Sequence, residues 1–322
     1  MRRLSPDISC PLGGKPSIPF KPSQFRIFSG VLLQLHLGQN RSPGGKGWTT
    51  QLLKEVAGLR VHFSLSRRKV QVSAALFFLF IATATRAEWA TTSTRTEPAA
   101  AAGLEHRDVV LKESETGDRA IVDLAIFSTK SCALRVIDNP GGDKNLADAM
   151  EQSKCLAGVN GGYFDPNFAP IGLRIIDGRL VSPLLRARLL TGVVTSSGRG
   201  IQIVRLSEFS RREKLDAAIE CGPMIVDLGA KVRGLDNTRL ARRSFVAIDR
   251  NDRGALGFCS EASLAGLARI LAGQFVADFK IQRALNLDGG SSSAFWFKRK
   301  DGSVFSISEQ KSVRDFVGVV PR

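Results

Sequence analysis

The sequence predicts an α+β domain, built as a single mixed, mainly antiparallel sheet with a few covering helices. Strand-like segments come in hairpin pairs: residues 173–176 turn at Asp177-Gly178, and residues 192–195 turn at a Ser-Gly segment. Helical patterns are few: one capped by Asn145, a polar one over 207–217, and one that begins near Ser260. A hydrophobic fraction of 43% can supply a core.

The order of residue types near position 70 is that of a secretory signal peptide. The basic cluster Arg67-Arg68-Lys69 precedes an apolar run over 70–84, and small residues follow up to Ala87. The run is shorter than the about 20 apolar residues of a transmembrane helix. We therefore predict a signal peptide or signal anchor over 67–87, the alternative being a buried core helix. A periplasmic or secreted location follows, with membrane contact only through an uncleaved anchor.

Composition predicts the other boundaries. Residues 1–66 are rich in Gly, Pro, Ser and basic residues, so we expect them to be disordered or an extension upstream of the true start. Residues 88–107 carry runs of threonine and alanine and are predicted to be a linker. The folded domain is expected over 108–322.

Charge and histidine placement exclude several function classes. The net charge is +16, but residues 1–87 hold 13 Lys+Arg against 2 Asp+Glu, so most of the excess lies outside the predicted domain. No basic stripe with interleaved aromatic residues is present, and nucleic acid is not an expected partner. The three histidines are His36, His62 and His106, and none follows position 106. A Ser-His-Asp triad or a histidine metal site within 107–322 is thereby excluded.

Four cysteines fall in the predicted domain, namely Cys132, Cys155, Cys221 and Cys259. In an exported chain they permit two disulfides in three pairings. The alternative is four buried thiols. Their spacing fits no zinc template.

Two similar turns carry the candidate chemistry. Asn160-Gly161-Gly162 and Asp288-Gly289-Gly290 each follow a short apolar strand. Neighbouring turns of this kind would bring an acid, an amide, backbone N–H groups, the Ser291 and Ser292 hydroxyls and Arg243 to one cleft. Arginine and backbone donors suit an oxyanion, especially a phosphate. The alternatives are a plain turn capped by its aspartate, or a Ca²⁺ or Mg²⁺ site.

The ordered motifs resemble the phosphodiester glycosidase family. The matching segments, in order, are Asn160-Gly161-Gly162-Tyr163-Phe164, Gly222-Pro223, Arg243-Ser244, Asn286-Leu287-Asp288-Gly289-Gly290-Ser291-Ser292 and the closing Arg314 before Val317. The resemblance covers residues 108–320. Where the family often has a third glycine after the acid, this chain has Ser291.

The resemblance implies hydrolysis of a sugar-1-phosphodiester in envelope or extracellular glycans. We expect Asp288 to be the carboxylate catalyst, either as nucleophile or as base for water, because the sugar carbon becomes oxocarbenium-like. Arg243 would hold the phosphate, and Asn160 would bind the sugar or orient Asp288. Tyr163 is expected to pack at the cleft wall, and Glu220 is a reserve acid. Together with these two, the other predicted substrate-binding residues are Gly161, Gly162, Asn286, Gly289, Gly290, Ser291 and Ser292.

Two further expectations complete the hypothesis. No cofactor is expected, although a divalent cation is an option at the Asp288 turn. The alternative function is a non-catalytic domain that binds an envelope glycan or phosphoglycan. Such a domain would keep the cleft without using Asp288 for chemistry.

Overall fold

The computed structural model describes residues 89–99, 101, 103–210 and 212–322. The predicted signal peptide over 67–87 and the extension over 1–66 lie outside these residues. In this part of the chain, no helix has the length and hydropathy to cross a membrane.

The largest sheet has eight strands. From one edge to the other they are β1 (Trp89–Pro98), β2 (Leu104–Glu113), β3 (Arg119–Ser128), β14 (Arg253–Ala262), β13 (Ala241–Ile248), β15 (Arg283–Asn286), β11 (Met224–Asp227) and β12 (Ala230–Lys231). β15 is an interior strand, hydrogen-bonded to β13 on one side and to β11 on the other. The residues that directly follow β15 therefore leave a strand whose position is fixed on both sides.

Two smaller sheets have five strands each. The first contains, in order, β7 (Arg179–Ser182), β6 (Arg174–Ile176), β10 (Ala217–Cys221), β8 (Gly192–Ser197) and β9 (Gly200–Arg205). The second contains, in order, β17 (Val304–Ile307), β16 (Phe295–Lys298), β5 (Ala157–Asn160), β18 (Asp315–Pro321) and β4 (Cys132–Asp138). Every pairing between described strands is antiparallel.

One apolar cluster joins the three sheets. Its buried members include Val246 and Leu285 from the largest sheet, Val194 and Ile219 from the first small sheet, and Val159 and Val317 from the second. The prediction of a mainly antiparallel fold is confirmed, and the prediction of a single sheet is wrong. Alternation along a strand identifies the strand, but the sheet it joins depends on partners that are distant in sequence.

Two α-helices cover the outer faces of the sheets in the described residues. α1 (Leu146–Gln152) packs against the second small sheet, and α2 (Leu264–Ala272) packs against the largest one. Asn145 caps α1, because its side chain accepts from the Asp148 N–H at 2.9 Å. Ser263 caps α2 through the Gly266 N–H, also at 2.9 Å.

The polar helix predicted over 207–217 is wrong. The described residues of that range form turns and bends up to the start of β10. Glu208 accepts from the Arg205 N–H at 3.1 Å and from the Arg283 guanidinium. These bonds tie the segment to the sheets and take the place of a helical ladder.

The linker prediction for 88–107 also differs from the structure. Residues 89–98 form β1, which pairs along its length with β2. Its threonines are β-branched and favour a strand. Almost the whole strand is exposed, so it shows no apolar alternation that would have marked it in the sequence.

The four cysteines are buried free thiols, so the disulfide alternative is not the one adopted. Burial raises the pKa of three of them, Cys155, Cys221 and Cys259, to about 12. Thiols with such pKa values are nearly all protonated near neutral pH and are poor nucleophiles.

Candidate active site

The two glycine-pair turns are neighbours, where the largest sheet meets the second small sheet. β15 ends at Asn286 and β5 ends at Asn160. The N–H of Asp288 donates to the carbonyl of Gly161 at 3.1 Å. A direct hydrogen bond therefore joins the two motifs that the sequence analysis placed in one cleft.

Asp288 is the partly exposed acid of this arrangement. Its Oδ1 accepts from the Gly289 N–H at 2.9 Å, and the Ser292 hydroxyl also hydrogen-bonds the carboxylate. Burial raises the pKa of Asp288 above its ordinary value, and the negative charge of Asp315 adds to the rise, although these hydrogen bonds oppose it. An acid with a perturbed pKa and access to solvent is a functional-site candidate.

Asn160 is fully buried, and its amide group is used by the Asp288 turn. Its Nδ2 donates to the carbonyl of Asp288 at 2.8 Å, and its Oδ1 accepts from the Ala294 N–H at 3.1 Å. The side chain thus holds the turn from both ends. This geometry favours orienting Asp288 over binding the sugar, the two roles expected for Asn160.

Gly161 and Gly162 lie against a buried ion pair. The N–H of Gly161 donates to the Asp315 carbonyl, and the N–H of Gly162 donates to Asp315 Oδ1, both at 2.8 Å. A Cβ on Gly161 would lie 1.8 Å from Asp315 Oδ1, and one on Gly162 would lie 2.0 Å from the Arg174 guanidinium. Both glycines are required by this close approach. Their N–H groups are engaged within the protein and are not free to contact a substrate.

The ion pair beneath the glycines is Arg174 with Asp315, and the sequence analysis missed both residues. Arg174 Nε donates to Asp315 Oδ2 at 2.8 Å, and each side chain is only 1% exposed. The same guanidinium donates to the carbonyls of Tyr163, Leu173 and Glu220. A signal was available: Arg174 interrupts an apolar segment beside a hairpin turn, where a charge needs a buried partner.

Arg243 reaches the same turn from β13. The residue is 8% exposed, with Nε donating to the Ala262 carbonyl at 3.0 Å and one terminal nitrogen to the Arg239 carbonyl at 2.9 Å. The other terminal nitrogen lies 3.4 Å from where a Cβ of Gly289 would be. That nitrogen has no acceptor, and the guanidinium no carboxylate partner, among the residues the structure describes. Arg243 therefore presents an uncompensated cation beside Gly289.

Backbone donors at the turn add to this cation. Gly290–Ser292 is a single turn of 3₁₀ helix, and Gly290 has a φ of +66° with open space around its Cβ position. The N–H groups of Gly290 and Ser291 have no acceptor within the described chain. Free successive N–H groups form an anion-binding nest. Of the predicted substrate-binding residues, these two are therefore free to donate to an anion.

Tyr163 and Asn286 form the wall behind the turn. The Tyr163 hydroxyl donates to the carbonyl of Gly222 at 2.7 Å, and the Asn286 amide donates to the same carbonyl at 3.0 Å. Gly222 precedes Pro223 through a cis peptide bond. Burial raises the pKa of Tyr163, with smaller contributions from Cys221 and Asp288. The Tyr163 proton is thus held by the Gly222 carbonyl, and the ring lies at the wall behind the turn.

Glu220 supports loops and makes no hydrogen bond to the Asp288 turn in the described residues. It is fully buried, and its Oε2 accepts from the N–H groups of Leu173 and Leu185 at 2.7 and 3.0 Å. Its Oε1 has no partner in this part of the chain. The structure therefore places Glu220, predicted as a reserve acid, as a loop anchor.

Comparison with known proteins assigns the family. A family model described as phosphodiester glycosidase matches residues 153–320. The chain belongs to the phosphodiester glycosidase family. All the motif residues from Asn160 to Arg314 fall within the matched range, so the resemblance seen in the sequence is confirmed.

Two solved structures of similar fold are distant from this chain in sequence. The catalytic domain of zebrafish N-acetylglucosamine-1-phosphodiester alpha-N-acetylglucosaminidase, auto-inhibited by its pro-peptide, is 18% identical with a TM-score of 0.54. The match covers 72% of this chain and 89% of that one. A hypothetical protein from Synechocystis is 16% identical with a TM-score of 0.52, over 74% of this chain and 68% of that one. These likenesses show the shared fold.

A curated relative matches over a shorter range. The uncharacterized Escherichia coli protein YigE is 32% identical over 91 residues, which are 26% of this chain and 36% of that protein. The chain thus matches about a third of the length of this relative.

Cavities of about 740, 320 and 270 Å³ are lined by residues other than those of the Asp288 turn. Within the described residues, no group of three His, Cys, Asp or Glu side chains could hold a metal ion.

Proposed function

We propose that the protein hydrolyses the glycosidic C–O bond of a sugar-1-phosphodiester, with Asp288 as the carboxylate catalyst. The observation that carries the proposal is the grouping at one turn: a partly exposed carboxylate, the uncompensated Arg243 cation and the free N–H groups of Gly290 and Ser291. The family assignment supports hydrolase chemistry. The name of the zebrafish enzyme supports a sugar phosphodiester as the substrate class.

The reaction can be written on these groups. The bond between the sugar C1 and the phosphate oxygen breaks, its electron pair stays on the phosphate, and water supplies hydroxyl to C1 and a proton to solvent. Asp288 stabilises the positive charge that develops at C1. Arg243 and the two free N–H groups stabilise the charge that develops on the phosphate. Because a phosphomonoester is a stable anion near neutral pH, its departure needs little acid assistance.

Asp288 is the carboxylate of the constellation that remains open to a substrate. Asp315 is held by Arg174 and Gly162, and Glu220 is buried against two backbone N–H groups. Ionised Asp288 is the active form, and its raised pKa places the acidic limb of the activity profile above the ordinary value for an aspartate.

The proposal includes an exported location, periplasmic or secreted, which rests on the residue order over 67–87. N-terminal sequencing of the native protein should find a start near Glu88. A native chain that begins at Met1 would contradict this part of the proposal.

The test offers the full chain a sugar-1-phosphodiester with a p-nitrophenyl aglycone, beside Asp288→Asn and the control Asp143→Asn. Asp143 is an exposed aspartate outside the site. The parent and Asp143→Asn should release free sugar, and Asp288→Asn should be at least 100-fold slower, the scale of a lost charge-stabilising group. Equal turnover by all three removes Asp288 from the mechanism. No turnover across a broad sugar panel favours the binding-domain alternative.

A further inference from the structure

Two exposed loops flank the Asp288 site. The first, over 183–189, is called the proline loop, and its residues 185–189 are all exposed. The second, over 233–240, is called the asparagine loop, and all of its residues except Leu235 are exposed. Neither loop contains a helix or a strand.

Both loops are fastened to residues of the site. In the proline loop, the Leu185 N–H donates to Glu220, and the Leu189 carbonyl lies 2.1 Å from where a Cβ of Gly222 would be. Gly222 is the residue whose carbonyl the Tyr163 hydroxyl binds. In the asparagine loop, the Arg239 carbonyl accepts from Arg243. The backbones of both loops therefore lie beside residues that adjoin the Asp288 turn, namely Gly222 at its wall and Arg243 at the proposed phosphate cradle.

The loops carry an excess of positive charge. Their four arginines are exposed and form no ion pair with a described residue: Arg186, Arg188, Arg233 and Arg239. The one acid, Asp236, accepts from the Thr238 N–H and hydroxyl at 2.8 and 2.7 Å. The two loops together carry a net charge of +3, which attracts anions.

Exposed leucines accompany these arginines. Leu185, Leu189 and Leu240 are 45%, 58% and 60% exposed. No aromatic residue is among the large exposed hydrophobic side chains of the described chain. A polar glycan gains nothing from bare leucines, whereas a lipid surface does, and arginines mixed with leucines are the composition of interfacial membrane contacts.

We propose that the proline and asparagine loops dock the Asp288 site on an anionic lipid surface, so that the substrate is a sugar phosphodiester carried by a lipid. The leucines enter the acyl boundary and the arginines pair with lipid phosphates. This inference rests on the proposed function for the identity of the substrate. The docking itself does not depend on hydrolysis.

The test places an environment-sensitive fluorophore on the full chain. The label is attached at Leu189→Cys, and at Leu228→Cys as the matched control, both in a Cys10→Ser background, because the other four thiols are buried. Leu228 is 65% exposed but lies in the β11–β12 turn, at the opposite end of β11 from the cis peptide. A local label reports contact at its own position, whatever residues 1–88 do with a bilayer.

Vesicles of phosphatidylcholine with one quarter phosphatidylglycerol should shift the Leu189 label to the blue and leave the Leu228 label unchanged. Adding Arg186→Gln and Arg188→Gln should weaken binding, so that the half-saturating lipid concentration rises about 25-fold, at about fivefold per arginine. Equal shifts at both positions, no shift at Leu189, or equal binding to pure phosphatidylcholine overturns the proposal. In the Asp288→Asn variant, the Leu189 label should shift as much as it does in the parent. This separates docking from catalysis, because lipid binding and hydrolysis can each fail while the other remains.

Discussion

Asp315→Asn should weaken the fold and shift the pH dependence of the activity. Asp315 connects four groups beneath the site: its carboxylate binds Arg174 and Gly162, and its carbonyl binds Gly161, whose own carbonyl accepts from Asp288. The substitution preserves size and the bond to Gly162, but it removes the negative charge. Arg174 is then buried without a counter-ion.

The structure sets the magnitude. Both side chains of the pair are 1% exposed, so loss of one partner should cost about 3–5 kcal/mol in the free energy of unfolding. Such a loss is a large fraction of the about 5–15 kcal/mol that stabilises a typical domain. The matched control is Asp138→Asn. Asp138 pairs with Arg314, which is 9% exposed, but Asp138 itself is 37% exposed and solvent screens the pair, so its loss should cost less than the loss of Asp315.

The activity profile gives an independent measurement. The Asp315 charge raises the pKa of Asp288, so its removal lowers that pKa, and the acidic limb of kcat against pH should move to lower pH. Asp315→Glu keeps the charge and should lose stability with little movement of the limb. Chemical denaturation and pH profiles of the three variants test the reasoning. It is refuted if Asp315→Asn unfolds like Asp138→Asn and its acidic limb coincides with that of the parent.

Two further predictions concern packing and thiol chemistry. Gly162→Ala should lower the melting temperature by several degrees, because its Cβ would lie 2.0 Å from Arg174. Gly198→Ala, whose Cβ would meet nothing within 4 Å, should leave the melting temperature nearly unchanged. Equal melting temperatures of the two variants would contradict the close approach at Gly162. The thiols of Cys132, Cys155, Cys221 and Cys259 are buried, so in the native protein they should resist alkylation at pH 8 and react only after unfolding. Mass spectrometry of the alkylated protein measures this. Rapid labelling of any of the four in the native protein would conflict with their burial.

Local chemistry allowed much of the fold to be predicted. The cap of α1 was found at Asn145, and the start of α2 was placed at the segment 260–263 that ends with its cap Ser263, because a helix N-terminus is satisfied by its own neighbouring side chain. The hairpin turn at Asp177-Gly178 was found because both residues take positive φ values, 47° and 76°. The glycine-pair turns were found because they are local breaks at the ends of apolar strands.

Other features carry no local signal. An exposed edge strand such as β1 has no apolar alternation, and the sheet that each strand joins depends on pairing across long sequence separations. The prediction of one sheet and of a linker over 88–107 went wrong for these reasons. The sequence alone likewise left the cysteines undecided between disulfides and buried thiols.

The candidate site likewise has features that the sequence predicted and features that only the structure shows. The sequence by itself marked Asp288 and Arg243, the groups to which we assign the proposed chemistry, because they stand in the ordered motifs of the family. Only the tertiary structure decided how they are held: Asn160 binds the Asp288 carbonyl across 128 positions, and Arg174 reaches Asp315 across 141. The sequence does not distinguish a buried arginine from a surface arginine. Their difference is made by solvent exclusion and by partners that only the folded chain brings together.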